Sequence, residues 1–486
     1  MRRQHRTLEI LSPDDVEAIH RTSLAILEEV GVRFPNEEML GLFENGGARV
    51  DHDRQVVRIP AELVEKAIQT LPKDFTVTPG DSGEPVRFGD GKLKLCMDTT
   101  PDIVDYMTNT KRRGGISDAL KGIVVGNALE SVRTVSAYCL PSDVPEQAAD
   151  IVAYQLLYTY SKKPVSTWIY SSPSADYVIE MAKVVAGGEA ELRRRKNLTY
   201  FAEPISPLQY APHTLEIVLK LAKYALPIYL GPMVTAGGSG PVTLAGTTAL
   251  QNAEVLQGLV MIYLCNPDQP VIYSNLSHTL DLRTGVIQYG APEQALLAIS
   301  GTQMARRYGL AACGNVNLSD SNLPDYMYGF QAGATAAYAL AAGWEMLGFS
   351  MFGSIGVVGN GVGLSLEQTL LTDEALNYLS RMVKGIEVSE DTLALDMIKR
   401  VGIGGNFLSE EHTARHMRDE LWRGSGIFDL IGYEAWSKNP ESCLDRAHRK
   451  LASILKAGSP PQPVLGEAKA RQIREIADEA IRRASE

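Results

Sequence analysis

The sequence predicts an α/β chain folded as a (β/α)8 TIM barrel, with an α-rich extension before it and an α-helical extension after it. Three observations point there. From about residue 90, eight short apolar runs alternate with eight helical patterns. The GxGxxG or P-loop of the competing doubly wound sheet is absent, since the glycine clusters at 237–240 and 359–363 match neither. The middle of the chain is also nearly free of charge, as an unusually well-covered core would be.

Residues 1–89 read as the first extension. Ser12 is placed to cap a helix with Pro13 in its first turn, and Gly31 to end it. Residues 48–59 alternate about 51–54 as a hairpin would, and Pro60 opens the next helix. The barrel is expected over 90–384. Its strands are expected in the runs 93–97, 132–140, 165–170, 198–204, 227–234, 271–277, 311–317 and 347–355. These runs are rich in β-branched and aromatic residues. Helices are expected to begin near Ser117, Pro145, Pro173, Pro212, Val242, Pro292, Tyr328 and Leu366. Residues 385–486 are charged again and helical, broken at 402–406 and 458–466. They end in an amphipathic helix over 466–484, whose charges read as a solvated face. No internal repeat is visible.

The 486 residues carry 47 Lys+Arg against 58 Asp+Glu, a net charge of −11, and 22% are charged. Between Tyr224 and Leu366 only ten are: Glu254, Asp268, Asp281, Arg283, Glu293, Arg306, Arg307, Asp320, Asp325 and Glu345. The uncharged run 346–366 contains six glycines, so it reads as a buried strand and loop and not as a membrane span. The composition excludes disorder, collagen and coiled coil. The acidic balance argues against nucleic acid or an anionic membrane as partner. Five scattered cysteines without a CxxC, and a basic N-terminus lacking an apolar h-region, point to the cytoplasm.

In such a barrel the chemistry sits at the C-terminal strand ends. Those ends carry Tyr138 after strand two, Trp168 and Tyr170 on strand three, and Glu203 on strand four. His278, Asp281 and Arg283 follow strand six. Asn315, Asn317, Asp320 and Asp325 follow strand seven, and Phe349 and Phe352 lie on strand eight. No Ser–His–Asp order or GxSxG elbow is present, and the last five strands carry no lysine for a Schiff base. No catalytic residue can be named. His412 and His416 share a helix face at i, i+4. HEXXH is absent and the pair falls outside the barrel, so ordinary surface contacts are expected and no metal site. Strand-end aromatics around a mostly uncharged cavity suit a quaternary ammonium held by cation–π attraction. They suit an ordinary core equally well.

Several longer segments resemble the trimethylamine methyltransferase family. They are GPVTLAGTTALQNAEVLQG (240–258), SHTLDLRTGVIQYGAPEQALL (277–297), SNLPDYMYGFQAG (321–333) and GIGGNFLSEEHTARHMRDELW (402–422). LSPDDVEAIHRTSLAILEEVGVRF (11–34) and RIPAELVEKAIQTLPKDFTV (58–77) resemble the family's opening. The resemblance covers nearly the whole chain and implies a (β/α)8 barrel. It implies methyl transfer from an N-methylated amine to the Co(I) of a corrinoid carried on a separate corrinoid-binding protein. No tightly bound cofactor of the chain's own is expected, and a homo-oligomer is.

The archaeal trimethylamine enzyme of the family carries pyrrolysine, whereas this chain has only the twenty standard residues. That departure turns the expectation toward a quaternary amine, glycine betaine first. Proline betaine, carnitine, choline and γ-butyrobetaine are alternatives. A non-catalytic betaine-binding protein and a metal-dependent barrel lyase or hydrolase are others. A quaternary nitrogen already carries the charge that makes it a leaving group in an SN2 displacement. The substrate-binding set expected is Tyr138, Trp168, Tyr170, Glu203, His278, Arg283, Asn315, Asn317, Asp320, Phe349 and Phe352. Arg283 would pair with the betaine carboxylate or, alternatively, with Asp281 or Asp320. Glu254 is expected to buttress a loop.

Overall fold

The computed structural model describes residues 8–81, 83–314, 316–343, 346–347, 355–359 and 361–486. At its N-terminus Ser12 caps α1 (Pro13–Ala25), in a reciprocal pair with Asp15. One π-helical turn follows, and Gly31, at φ +84°, ends it. A helix over Glu37–Asn45, the hairpin Arg49–Asp51/Val56–Arg58 and α2 (Ala61–Thr70) come next. This layer is fastened to the rest through a buried polar chain. His20 Nδ1 bonds Tyr308 OH (2.9 Å), Asn252 Nδ2 donates to the same hydroxyl (2.9 Å), and Tyr273 OH donates to Asn252 Oδ1 (3.0 Å).

Among the described residues the central sheet has seven strands: β1 (Lys94–Cys96), β2 (Val132–Thr134), β3 (Tyr200–Ala202), β4 (Ile228–Leu230), β5 (Val271–Asn275), β6 (Ala312–Gly314) and β7 (Met346–Leu347). Every pair is parallel and the spatial order is β2-β1-β7-β6-β5-β4-β3, so the last strand lies beside the first. The helices between strands are those expected: α3 (Ile116–Ala128), α4 (Ala149–Tyr160), α5 (Ser172–Ala186), α6 (Pro212–Ala222), α7 (Leu244–Cys265), α8 (Pro292–Arg307), α9 (Tyr326–Ala341) and α10 (Leu366–Lys384).

The run 165–170 departs from expectation. Only Val165 makes a bridge, to Val135, and no ladder joins the run to β3 among the described residues. The sheet is therefore not closed. Side chains of α4 take the place of a neighbouring strand. Tyr154 OH donates to the Thr167 carbonyl (2.9 Å), and Asp150 Oδ2 accepts the Tyr170 N–H (2.9 Å). With its backbone groups satisfied this way, the run needs no strand partner on that side. Of the eighth run, β7 is described and most of the remainder lies outside the described residues.

A second hairpin, Phe75–Val77/Val86–Phe88, covers one end of the sheet. Phe75 and Phe88 stack at 5.0 Å and pack with Cys96, Phe201, Tyr229, Ile272 and Cys313 in one buried cluster. Lys94, at the N-terminal start of β1, lies over the Phe88 ring. The hairpin thus covers the N-terminal end and leaves the C-terminal strand ends for the site.

After α10 the chain forms short helices, including α11 (Glu390–Leu393) and α12 (Glu411–Glu420), then α13 (Cys443–Gly458) and α14 (Glu467–Ser485). α13 is tied to α10 by His448 Nδ1 and Glu367 Oε1 (2.9 Å). α14 buries Ile473, Ala477 and Ala480 and keeps its charges outward. Among the described residues no helix is long and apolar enough to cross a membrane.

Candidate functional site

Side-chain alternation along the strands builds the site. Leu95, Met97, Tyr200, Ala202, Ile228, Leu230 and Tyr273 belong to the main core beneath the helices. Cys96, Phe201, Tyr229, Ile272 and Cys313 belong to the inner cluster. Two residues further along the first and fourth runs, on that same inner face, stand Asp98 and Glu203. Each is a carboxyl at the C-terminal end of a parallel strand.

Asp98 is 1% exposed. Its Oδ1 accepts the Thr99 N–H (3.1 Å), while its Oδ2 has no partner among the described residues. Burial pushes Asp98 up to about 8. Burial, with the Glu254 charge second, pushes Glu203 up to about 7. No Lys or Arg pairs with either acid among the described residues, so burial favours the neutral form of each and an arriving cation would favour the charged form.

Hydroxyls and rings surround them. Thr99 Oγ1 meets Ser136 Oγ and accepts from Thr167 Oγ1. Ser166, Ser274 and Ser277 hydroxyls are buried without partners among the described residues. Trp168 is half-buried, donates from Nε1 to the Thr99 carbonyl, and stacks on Tyr170 at 5.8 Å. His278 is buried and pushed down to about 3 by desolvation, so it is neutral. Its ring lies 4.4 Å from Tyr289. Burial, then the charges of Glu203 and Asp320, raise Tyr289 to about 12.

Of the residues expected from sequence, the structure gathers Glu203, His278, Trp168 and Tyr170 around these strand ends. Asp320 lies beside them with its oxygens engaged, accepting the N–H groups of Tyr289 (2.7 Å) and Gly290 (3.2 Å). Asn317 is buried at φ +68°, its N–H on Thr335 Oγ1 (3.2 Å). Tyr138 is used elsewhere. Its hydroxyl donates to the Leu364 carbonyl (2.9 Å), and its Cβ packs where a side chain on Gly122 would collide. Arg283 is also apart: it sits on a hairpin tip, its side chain 89% exposed, paired with Asp281. Asn315, Phe349 and Phe352 lie outside the described residues. Sequence reading missed Asp98 and Tyr289. Asp98 directly follows an apolar run at the period-two position, a signal that was available. Tyr289 had none, because a hairpin return brings it in.

The fold is similar to that of a monomethylamine methyltransferase of known structure. It superposes on the crystal structure of the Methanosarcina barkeri monomethylamine methyltransferase MtmB, at TM-score 0.52 and 15% identity, covering 91% of this chain and 92% of that one. The hydroxylamine MtmB complex gives TM-score 0.53 at 14% identity, over 97% and 92%.

The family model for trimethylamine methyltransferase (MTTB) matches residues 1–485, and the chain belongs to that family of methyltransferases. Among its relatives, a glycine betaine methyltransferase of Desulfitobacterium hafniense (strain Y51) is 28% identical over 93% of both chains. The trimethylamine methyltransferase MttB of Desulfitobacterium hafniense (strain DSM 10664 / DCB-2) is 29% identical over 96% of this chain and 93% of its own. That of Methanosarcina barkeri (strain Fusaro / DSM 804) is 28% identical over 92% and 91%.

Proposed function

We propose that this methyltransferase moves a methyl group from a quaternary amine to the Co(I) of a corrinoid carried by a partner protein. The observation that carries the reading is the pair of acids, buried Asp98 and half-buried Glu203, without a cationic partner among the described residues. A quaternary ammonium brings a permanent positive charge and no proton to donate. It re-ionises the acids, and aromatic faces such as Trp168 and Tyr170 add cation–π attraction of about 0.5–2 kcal/mol each. In the displacement the cobalt electron pair forms the C–Co bond. The C–N pair stays on nitrogen, which leaves as a neutral tertiary amine. The chain's own part is to hold one N–CH3 in line and exclude water. We take the binding set to be Asp98, Trp168, Tyr170, Glu203, His278 and Tyr289, with Asn317 and Asp320; Asn315, Phe349 and Phe352 are kept in the proposed set from the sequence alone.

Glycine betaine is the first substrate to test, because a glycine betaine methyltransferase is among the relatives and the chain has no pyrrolysine. A second reading, a quaternary amine without a carboxylate such as choline, is favoured by the two acids and by the outward Arg283. The catalytic unit is proposed as residues 90–384, a (β/α)8 barrel open at one seam, flanked by 1–89 and 385–486 and working in the cytoplasm. Exposed apolar side chains such as Met382, Ile386, Leu408, Leu430 and Tyr433 support a homo-oligomer.

The test is Co(I) methylation on a corrinoid protein with glycine betaine, proline betaine, carnitine, choline, γ-butyrobetaine and trimethylamine. A quaternary amine is expected to turn over. Turnover of trimethylamine alone would overturn the reading. Binding without cobalt methylation would leave a binding protein in its place.

A further inference from the structure

We propose that Asp391, His412 and His416 form a divalent-metal site, with zinc the ion their chemistry fits, remote from the central sheet. α12 presents His412 and His416 one turn apart on one face, their ring centroids 4.2 Å from each other. α11 brings Asp391 against that face. His416 Nε2 lies 2.9 Å from Asp391 Oδ2, and His412 Nε2 lies 2.9 Å from the Asp391 carbonyl oxygen. One ligand atom from each side chain falls within 4.8 Å of the others.

Zinc bonds of about 2.0–2.2 Å place tetrahedral donors roughly 3.4 Å apart. Side-chain rotation would have to bring the donors, now within 4.8 Å of one another, to that spacing. Two imidazoles and one carboxylate suit zinc, whereas magnesium and calcium prefer oxygen donors. Three protein ligands leave a fourth position for water or for a group from outside the chain.

The outer contacts are also present. Arg415 donates to Asp391 Oδ1 (3.0 Å) and reaches Oδ2 at 3.3 Å. When Oδ2 turns to the ion, Oδ1 keeps Arg415, the arrangement in which a ligating carboxylate is itself held by a hydrogen bond. The ion would tie α11, only four residues long, to α12. Leu393 on α11, and Leu395, Ile398 and Leu408 between α11 and α12, stand exposed, so the tie would stiffen an apolar outer surface. The competing arrangement is a metal-free junction of hydrogen bonds using the same atoms.

The experiment treats full-length protein with chelator, removes the chelator, and titrates it with zinc chloride by calorimetry. Metal content is measured after gel filtration. One retained equivalent is expected, with a rise in Tm. His412→Gln, His416→Gln and Asp391→Asn should each lose the equivalent and the Tm rise while keeping the wild-type circular dichroism. Arg415→Ala should keep the equivalent with affinity reduced about 10- to 100-fold. A wild-type chain that retains no zinc overturns the proposal. So does a His412→Gln/His416→Gln chain that retains it. Should the variants misfold, cobalt(II) loading of the wild type decides: tetrahedral absorption supports the site, and its absence overturns it.

Discussion

The Glu254 carboxyl, buried within α7, accepts a hydrogen bond from Ser206 Oγ at 2.6 Å. Its other oxygen accepts the Leu208 N–H at 2.8 Å. A residue on a helix thereby clamps the loop that begins at Glu203, and its charge helps raise the Glu203 carboxyl. Glu254→Ala strands the loop donors and should destabilise the fold by about 1–3 kcal/mol in urea unfolding. Glu254→Gln keeps an acceptor and should cost less. It should also lower the pH at which Glu203 ionises, read as a downward shift in the pH profile of kcat/KM.

Ligand affinity should rise with pH. Glu203 and Asp98 ionise near about 7 and about 8, and a permanent cation favours their charged forms. Calorimetry from about pH 6 to about pH 9 should show tighter binding at the upper end, with protons released on binding at the lower. A flat profile would mean that neither acid meets the cation.

The unliganded chain should show the opposite trend in stability. Both acids hold their protons more tightly folded than unfolded, where the ordinary values are 4.5 and 3.8. The folded state therefore binds more protons across that interval, and stability falls as pH rises through it. Glu203→Gln and Asp98→Asn should each flatten the slope in urea midpoints measured against pH.

Trp168→Ala removes a ring that is stacked on Tyr170. Loss of one cation–π face should lower kcat/KM by about 2- to 30-fold. An unchanged kcat/KM would remove Trp168 from the cage.

Tyr138→Phe and Arg283→Ala test the two residues that the fold takes away from the group. Tyr138→Phe loses the bond to the Leu364 carbonyl and should cost about 1 kcal/mol of stability with KM unchanged. Arg283→Ala removes an exposed, solvent-screened ion pair with Asp281 and should leave stability nearly unchanged. Its KM for glycine betaine should stay within about twofold. A large rise would bring Arg283 back as the carboxylate partner.

Much of the element order was readable because the signals are local. The Ser12 cap, the prolines opening α5, α6 and α8, and the charge-poor strands each act within a few residues. The run 165–170 has the β-branched and aromatic composition of a strand. It is left without a second strand neighbour because Asp150 and Tyr154 satisfy its backbone from a helix. That substitution depends on how α4 packs, which no pattern within the run records. The acid pair was half legible: Glu203 stands at the end of an obvious apolar run, and Asp98 required trusting period-two alternation two residues past the strand.

By itself, then, the sequence determined an α/β chain with helices between parallel strands, a middle nearly empty of charge, and membership in a family of methyltransferases. The first two follow from periodicity and composition, which are properties of neighbouring residues, and the third from the resemblance of long segments such as 240–258 and 277–297 to that family. The tertiary structure decided which distant residues meet. It turned Arg283 outward, buried Tyr138 against Gly122, set Asp98 and Glu203 on one inner face, and brought Asp391 to a histidine pair on another helix. Such encounters depend on long-range packing and strand register, where a shift of one residue sends a side chain to the opposite face.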